Sequence, residues 1–391
     1  MSESIDMLFG DLRSLLNQSE RNTAWARDII ALLELAIGED RDAFMARWQP
    51  YLMSHRLHLT DANFPPVAVA SIDELEWWEE TLPFANFNLS LGPRALTSEQ
   101  FESLLEPDRL ARIRGLDLSK HPEAKDFLLE LARHPESLPL NTLISRNMSL
   151  EENHITSIAQ TIAFRRLRKL DLAKNRIGDS VIELLTRDSN LQHLRHLDLG
   201  FMGMTQEAIS EFVARGAELL KQLESLWLDH NAFGARGGHR LAHALPTDGN
   251  LRTLGLAGVG LGDMVMRLFG QAPALASLTS LDLGFNQLSD RGLLDLFAVY
   301  SPTNLRELKL SGNRLTNSSG FAIANRGDLE NLRVLDLSYN RLGHTTAHEL
   351  AKNTSLTTLR ELILTGNDMT LNSTARRRLR ESPNTYAHIT W

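Results

Sequence analysis

The residues best placed to do chemistry are carboxylates and aromatic rings that recur at one point of a repeated triplet. Asp171, Asp198, Asp282 and Asp336 each stand between two leucines, and Phe201, Phe285 and Tyr339 follow three residues after Asp198, Asp282 and Asp336. In one copy Trp227 takes the aspartate's place, with Asp229 and His230 behind it. Carboxylates interleaved with aromatic side chains recognise cationic surfaces: the charges steer the encounter and the rings supply contact area. These residues form the candidate partner-binding set, with Phe201, Trp227, His230 and Phe285 as its anchor. Nothing comparable points to catalysis. No G-x-x-x-x-G-K-[ST], H-E-x-x-H or G-x-S-x-G segment occurs, and Gly258-Val-Gly260-Leu-Gly262 lacks the last glycine of a dinucleotide loop. His239 with His243, and His344 with His348, are spaced to share a metal on a helix. No third ligand stands at an obvious spacing, so no metal or cofactor is expected.

What must position the set is the pattern L-x-x-L-x-L-x-x-N-x-L, complete at Leu278 to Leu288. Its first position recurs at Ile113, Leu140, Leu167, Leu194, Leu223, Leu251, Leu278, Leu305, Leu332 and Leu359, always 27 to 29 residues apart. Strand alternation sends positions four and six to a core and positions three, five and seven to the opposite face. Position nine is Asn175, Asn231, Asn286, Asn313, Asn340 and Asn367, where an amide is expected to bond the backbone of the turn. His121, Met148, Met202 and Val259 replace it, so those turns are expected to be held differently or more loosely. The second half of each unit carries a helical apolar period: Ile182, Leu184 and Leu185; Leu293, Leu294, Leu296 and Phe297; Ala347, Leu350 and Ala351. Ser289-Asp290 is a fitting helix start. Strands roughly 4.8 Å apart beside helices roughly 8–10 Å apart force a curve with the strands inside.

At these residues the chain resembles leucine-rich-repeat proteins, and the repeat length resembles their ribonuclease-inhibitor-like subclass, a strand and a full helix per unit. The resemblance implies an α/β solenoid, a horseshoe with a concave parallel sheet, convex helices and a helical N-terminal cap. It also implies a binding role, here a scaffold that grips a partner protein on its concave face. Relatives of the subclass offer two other roles, regulation of a small GTPase and service as an effector or adaptor of ubiquitin machinery. No catalytic residue of the GTPase-activating group matches a position here. On the concave face the position-five column reads Asp117, Ile144, Asp171, Asp198, Trp227, Gly255, Asp282, Lys309, Asp336, Ile363. Adjacent Asp171 and Asp198 repel unless a cation answers them, and the arginines of position two, Arg168 and Arg195 among them, are the expected answer.

Composition narrows the partner. A net charge of -8 favours neither nucleic acid nor anionic lipid, so a protein with a basic surface is expected. The absence of cysteine excludes disulfides and thiolate chemistry and suits a reducing, cytoplasmic setting; no secretory leader or membrane span is read. Residues 1–52 lie outside the repeat and carry helical apolar spacing, including Leu12, Leu16, Ile29, Leu33 and, after Glu39-Asp40, Phe44 to Leu52. They are expected to cap the repeat domain, 53–391, whose first strands are placed at Leu57-His-Leu59 and at Phe87-Asn-Leu89. Of the pair Trp77 and Trp78, one is expected in the core. Adding one repeat to Leu359 predicts a last edge strand at Tyr386 to Trp391, after a basic helix at 374–380.

Overall fold

The computed structural model describes residues 11–16, 28–33, 35, 52, 67–81, 85–91, 97–187, 189–353, 355–368, 379 and 388–390. Among these, thirteen strands form a single all-parallel sheet in chain order, from β1 (Val67–Val69) to β13 (His388–Thr390). Strands pair one repeat apart at equal position: Leu281 opposes Leu308, then Leu335, then Leu362. Helices such as Gln206–Arg215, Gly234–Ala244 and Asp290–Phe297 pack behind the sheet. The result is an α/β horseshoe, strands on the concave side and helices on the convex side.

Leucines of positions four and six, such as Leu281 and Leu283, are buried between sheet and helices. Ile182, Leu185, Leu293, Leu296, Ala347 and Leu350 close the core from the helix side. Leu294 departs from its expected burial and is exposed, because one residue past Leu293 the helix has turned about 100° off the buried face. Ser289 caps its helix, its hydroxyl accepting from the Arg291 amide. A second tie was not evident in the sequence: Asp290 accepts from the Thr316 amide at 2.8 Å and hydroxyl at 2.6 Å, joining one helix start to the next. Asp179 and Asp263 do the same for Thr205 and Ser289.

The position-nine asparagines are buried, except half-buried Asn367, and each bonds the backbone through both its oxygen and its nitrogen. Asn286 donates to the carbonyls of Leu256 and Gly284 and accepts from the amides of Gly260 and Leu261. The bonds run to the preceding repeat, which explains the turns that lack an asparagine. Met148 and Met202 are served by Asn175 and Asn231 of the following unit, so these turns are held from outside rather than loosened. His121 is buried, one ring nitrogen 2.9 Å from Glu123 and the other 3.3 Å from the Leu91 carbonyl.

The N-terminal part needs correction. Leu57-His-Leu59 lies outside the described residues, and the strand beside β2 (Phe87–Ser90) is β1, directly after Pro65-Pro66. In β2, Leu89 opposes Leu116 and Ser90 opposes Asp117, with an irregularity between Phe87 and Asn88. Leu89 and Leu91 therefore hold the places expected for Phe87 and Leu89. A slip of two residues leaves every side chain on its face, so alternation alone does not distinguish the registers. Residues 11–16 and 28–33 are helical, and Leu12, Leu16, Ile29 and Leu33 join the same core as Val67, Val69 and Trp78. The helix expected after Glu39-Asp40 lies outside the described residues apart from Leu52, which is helical and buried. At the other end β13 pairs with Glu361–Ile363, Ile389 opposite Leu362, in the predicted register. Tyr386, Trp391 and the expected helix at 374–380, save buried Leu379, lie outside the described residues. No described helix is long and apolar enough to cross a membrane.

Candidate partner-binding face

The register sets Asp171, Asp198 and Trp227 on adjacent rungs, with Gly255, Asp282, Lys309 and Asp336 continuing the column. A concave cavity of about 470 Å³ opens at the first of these rungs. It brings together Asp171, Asp198, Phe201, Trp227 and Asp229 with Arg146, Lys174 and His196. His230 stands at its edge, its ring stacked on Phe201 at 4.2 Å between centroids and 21° between planes. Lys174 completes the stack, its ammonium 5.2 Å from the Phe201 centroid. Phe285 lies 6.2 Å from His230, while Asp336 and Tyr339 sit two repeats beyond Asp282 and Phe285, outside the cavity.

All the aromatic candidates of position eight have left-handed backbones: φ is 56° at Phe201, His230 and Phe285 and 53° at Tyr339. The column shares this geometry because each position-eight amide donates to the next repeat's position-seven carbonyl, as Phe201 does to Asp229 and Phe285 to Ser311. Gly258, Gly312 and Gly366 occupy it without strain. A bulky residue there costs roughly 1–2 kcal/mol. Phe285 and Tyr339, like His230, are accommodated by a glycine in the unit that follows: a Cβ at Gly258 would come within 2.5 Å of His230, one at Gly312 within 2.3 Å of Phe285, and one at Gly366 within 2.5 Å of Tyr339. Gly255 does the same for the indole, where a Cβ would lie 2.6 Å from Trp227 and 2.7 Å from the Asp229 carboxylate. Phe201, Phe285 and Tyr339 remain 42%, 51% and 61% exposed, so the strain is not offset by burial in the core.

Leucine-rich-repeat family profiles match residues 166–182, 274–297, 301–324 and 331–353. The pig (Sus scrofa) ribonuclease inhibitor is 31% identical over 162 residues, 40% of this chain and 35% of that protein. The chain carries leucine-rich repeats and is similar to the ribonuclease-inhibitor-like type. It spans about a third of the length of that curated relative. Among solved structures, the TLR13–ssRNA13 complex aligns at 22% identity and a TM-score of 0.44 over 78% of this chain and 39% of that one. An internalin from Listeria monocytogenes aligns at 18% and 0.42 over 83% and 85%.

Within this leucine-rich-repeat face the cation that answers Asp171 and Asp198 is not the position-two row. Arg195 and Arg252 turn to the carbonyls of their own neighbours, Leu194 and Leu251. Arg146, at position seven, bridges both carboxylates, 2.5 Å from Asp171 and 2.8 Å from Asp198. Position two faces the rim where chains enter the strand; position seven lies beyond position five on the same face, within reach of the next two rungs. Its signal was in the column itself: position seven is otherwise Ser, Ala, Gly or Thr, apart from Asp229.

Burial raises Asp171 to about 6, Asp198 adding to the shift and Arg146 opposing it. Burial likewise raises Asp229 to about 6, opposed by a bond from the Ala257 amide and reinforced by Asp282 and Asp198. No lysine or arginine among the described residues lies within 4.0 Å of the Asp229 carboxylate. Burial also holds His230 below its ordinary value, favouring the neutral ring that stacks on Phe201. The cavity thus combines a carboxylate short of a cation, an indole and a stacked aromatic pair.

Proposed function

We propose that the chain is a protein-recognition scaffold whose concave face binds a partner with a basic surface. Phe201, Trp227 and His230 are the anchor, Asp229 receives a partner cation, and Asp198 shares its charge between that cation and Arg146. Asp282 with Phe285 and Asp336 with Tyr339 extend the contact along the horseshoe. The reading is supported chiefly by the exposed aromatic rings kept in left-handed backbone where sister repeats have glycine, lysine or asparagine. Side chains retained against their backbone preference on a solvent-facing surface have a use outside the fold. Residues 1–52 serve in this reading as the cap of the array, and the absence of cysteine suits work in the cytoplasm.

Crosslinking in native lysate, comparing the parent with Phe201→Ala plus Trp227→Ala, tests it. At least one protein with a basic surface is expected to be retained by the parent and lost by the variant at physiological salt. Undiminished capture of every parent-retained protein would remove the proposed anchor.

A further inference from the structure

The convex helix Gly234–Ala244 differs in charge from several other helices of the convex side, though not from the short Met266–Gly270 beside it, which also lacks a carboxylate. It carries Arg236, His239, Arg240 and His243 and no carboxylate, whereas Gln206–Arg215 carries Glu207 and Glu211, and Asp290–Phe297 carries Asp290 and Asp295. The flanking carboxylates already have partners: Glu211 lies 2.6 Å from Arg215, Asp295 3.7 Å from Arg291, and Glu207 accepts from Thr205. Asp263, on the segment after the helix, is tied to Ser289 at 2.8 and 2.5 Å. Arg240 donates to the Ser210 hydroxyl, and Arg236 has no carboxylate within 4.0 Å among the described residues.

Beside these cations lies a cleft of about 430 Å³, lined by Ala235, Arg236, His239, Met264, Val265 and Leu268. Gly238 lets the helix settle on Leu261, for a Cβ there would come within 2.3 Å of it. Met264 stands at the cleft 95% exposed, whereas Met148, Met202, Met204 and Met266 are fully buried. A flexible thioether beside an apolar floor adapts to whatever side chain enters, and a cationic rim selects the charge of what surrounds that side chain. A helix laid in a groove meets both demands with its two faces.

We propose that this convex cleft docks an amphipathic helix of a partner protein, with acidic residues against Arg236 and Arg240 and apolar side chains between Ala235, Met264 and Leu268. The site is separate from the concave face and stands whether or not the reading of that face holds. In an acidic chain, a pocketed patch with two guanidinium groups at its rim suits a discrete helix better than a flat anionic membrane.

Selection of phage-displayed amphipathic helices on the full chain, followed by fluorescence anisotropy with the selected peptides, tests the proposal. Enriched sequences are expected to carry Glu or Asp on one face and Leu, Ile or Phe on the other. Arg236→Glu with Arg240→Glu is expected to weaken them about tenfold or more, and Met264→Ser about fivefold. Phe201→Ala with Trp227→Ala is expected to leave their affinity unchanged. Arg236, Arg240 and Met264 are exposed, so circular dichroism and Tm of their variants should stay with the parent. The proposal is overturned if no helix is enriched over a blank surface, if enriched helices lack an acidic face, or if charge reversal leaves affinity intact. Binding of phosphatidylserine vesicles through the same arginines, with no helix bound, would equally overturn it in favour of a membrane.

Discussion

Two stretches of the concave face use the same repeat and handle charge in opposite ways. Around β9 to β11, Ser280–Asp282 to Val334–Asp336, the position-five column alternates Asp282, Lys309, Asp336. Lys309 is 2.8 Å from Glu307, and Phe285 and Tyr339 each lie over a glycine, Phe285 with its ring 6.2 Å from that of His230. Around the earlier strands Asp171 and Asp198 share Arg146, Asp229 has no ion pair among the described residues, and the rings of Phe201 and His230 stack beside an indole. In the later stretch Lys309 stands between Asp282 and Asp336 and attracts both, although neither carboxylate forms an ion pair within 4.0 Å among the described residues. The earlier one leaves an open, partly desolvated carboxylate beside apolar surface, the combination that a partner's cation and its aliphatic stem complement.

The largest consequence of that difference is in binding. Against a partner captured by the parent, Phe201→Ala with Trp227→Ala should lower affinity about a hundredfold or more, and Phe285→Ala with Tyr339→Ala about tenfold, measured by calorimetry. Equal losses would mean that the two stretches do not differ as claimed. A comparable loss, in stability rather than binding, should follow removal of a buried amide: Asn313→Ala takes a partner from the amides of Asn286 and Leu288 and from the carbonyl of Leu283, while the Leu310 carbonyl keeps its bond from Asn340. About 3 kcal/mol or more should be lost in denaturant unfolding.

Next comes pH. Asp229 titrates near 6, so it is largely protonated at pH 5 and ionised at pH 7.5. Affinity for a basic partner should therefore rise between those values, several-fold to tenfold, and Asp229→Asn should flatten that rise. For folding the sign is reversed. Asp171 and Asp229, raised to about 6 from 3.8, hold their protons more tightly in the folded state. Stability from these groups is thus gained as pH falls through 6 toward 4 and lost as it rises, a trend that Asp171→Asn should weaken in urea titrations at pH 4.5 and 7. The smallest effect concerns strain. Tyr339→Gly should be neutral or stabilising by up to about 1 kcal/mol in thermal unfolding, because it relieves a left-handed, largely exposed residue lying over Gly366. Phe201→Gly should gain less, since it also breaks the stack with His230.

Much of this was legible in the residues because the repeat carries its own register: once Leu278 to Leu288 is aligned on its neighbours, the rungs of Asp171, Asp198 and Trp227 follow. Where leucine gave way to phenylalanine, at Phe87, the register slipped by two, and face alternation is blind to such a slip. Arg146 was passed over because its importance lies in what its column otherwise lacks, and its two carboxylate partners are 25 and 52 residues away. The left-handed backbone of position eight is visible in hindsight from Gly258 onward, where glycines alternate with aromatics, while the earlier repeats carry lysine, asparagine, phenylalanine and histidine in the same geometry. The convex cleft has no repeat grammar at all; it arises from a missing carboxylate and one outward methionine.

The most direct measurement is site-specific photocrosslinking in native lysate, with a benzoylphenylalanine placed at Phe201 in one variant and at exposed Phe321 on the convex side in another. Partner adducts that form from position 201, carry a basic surface and are absent when Trp227 is replaced by alanine are what the concave-face reading requires. Adducts from position 321 alone, or adducts from 201 indifferent to Trp227, would contradict it.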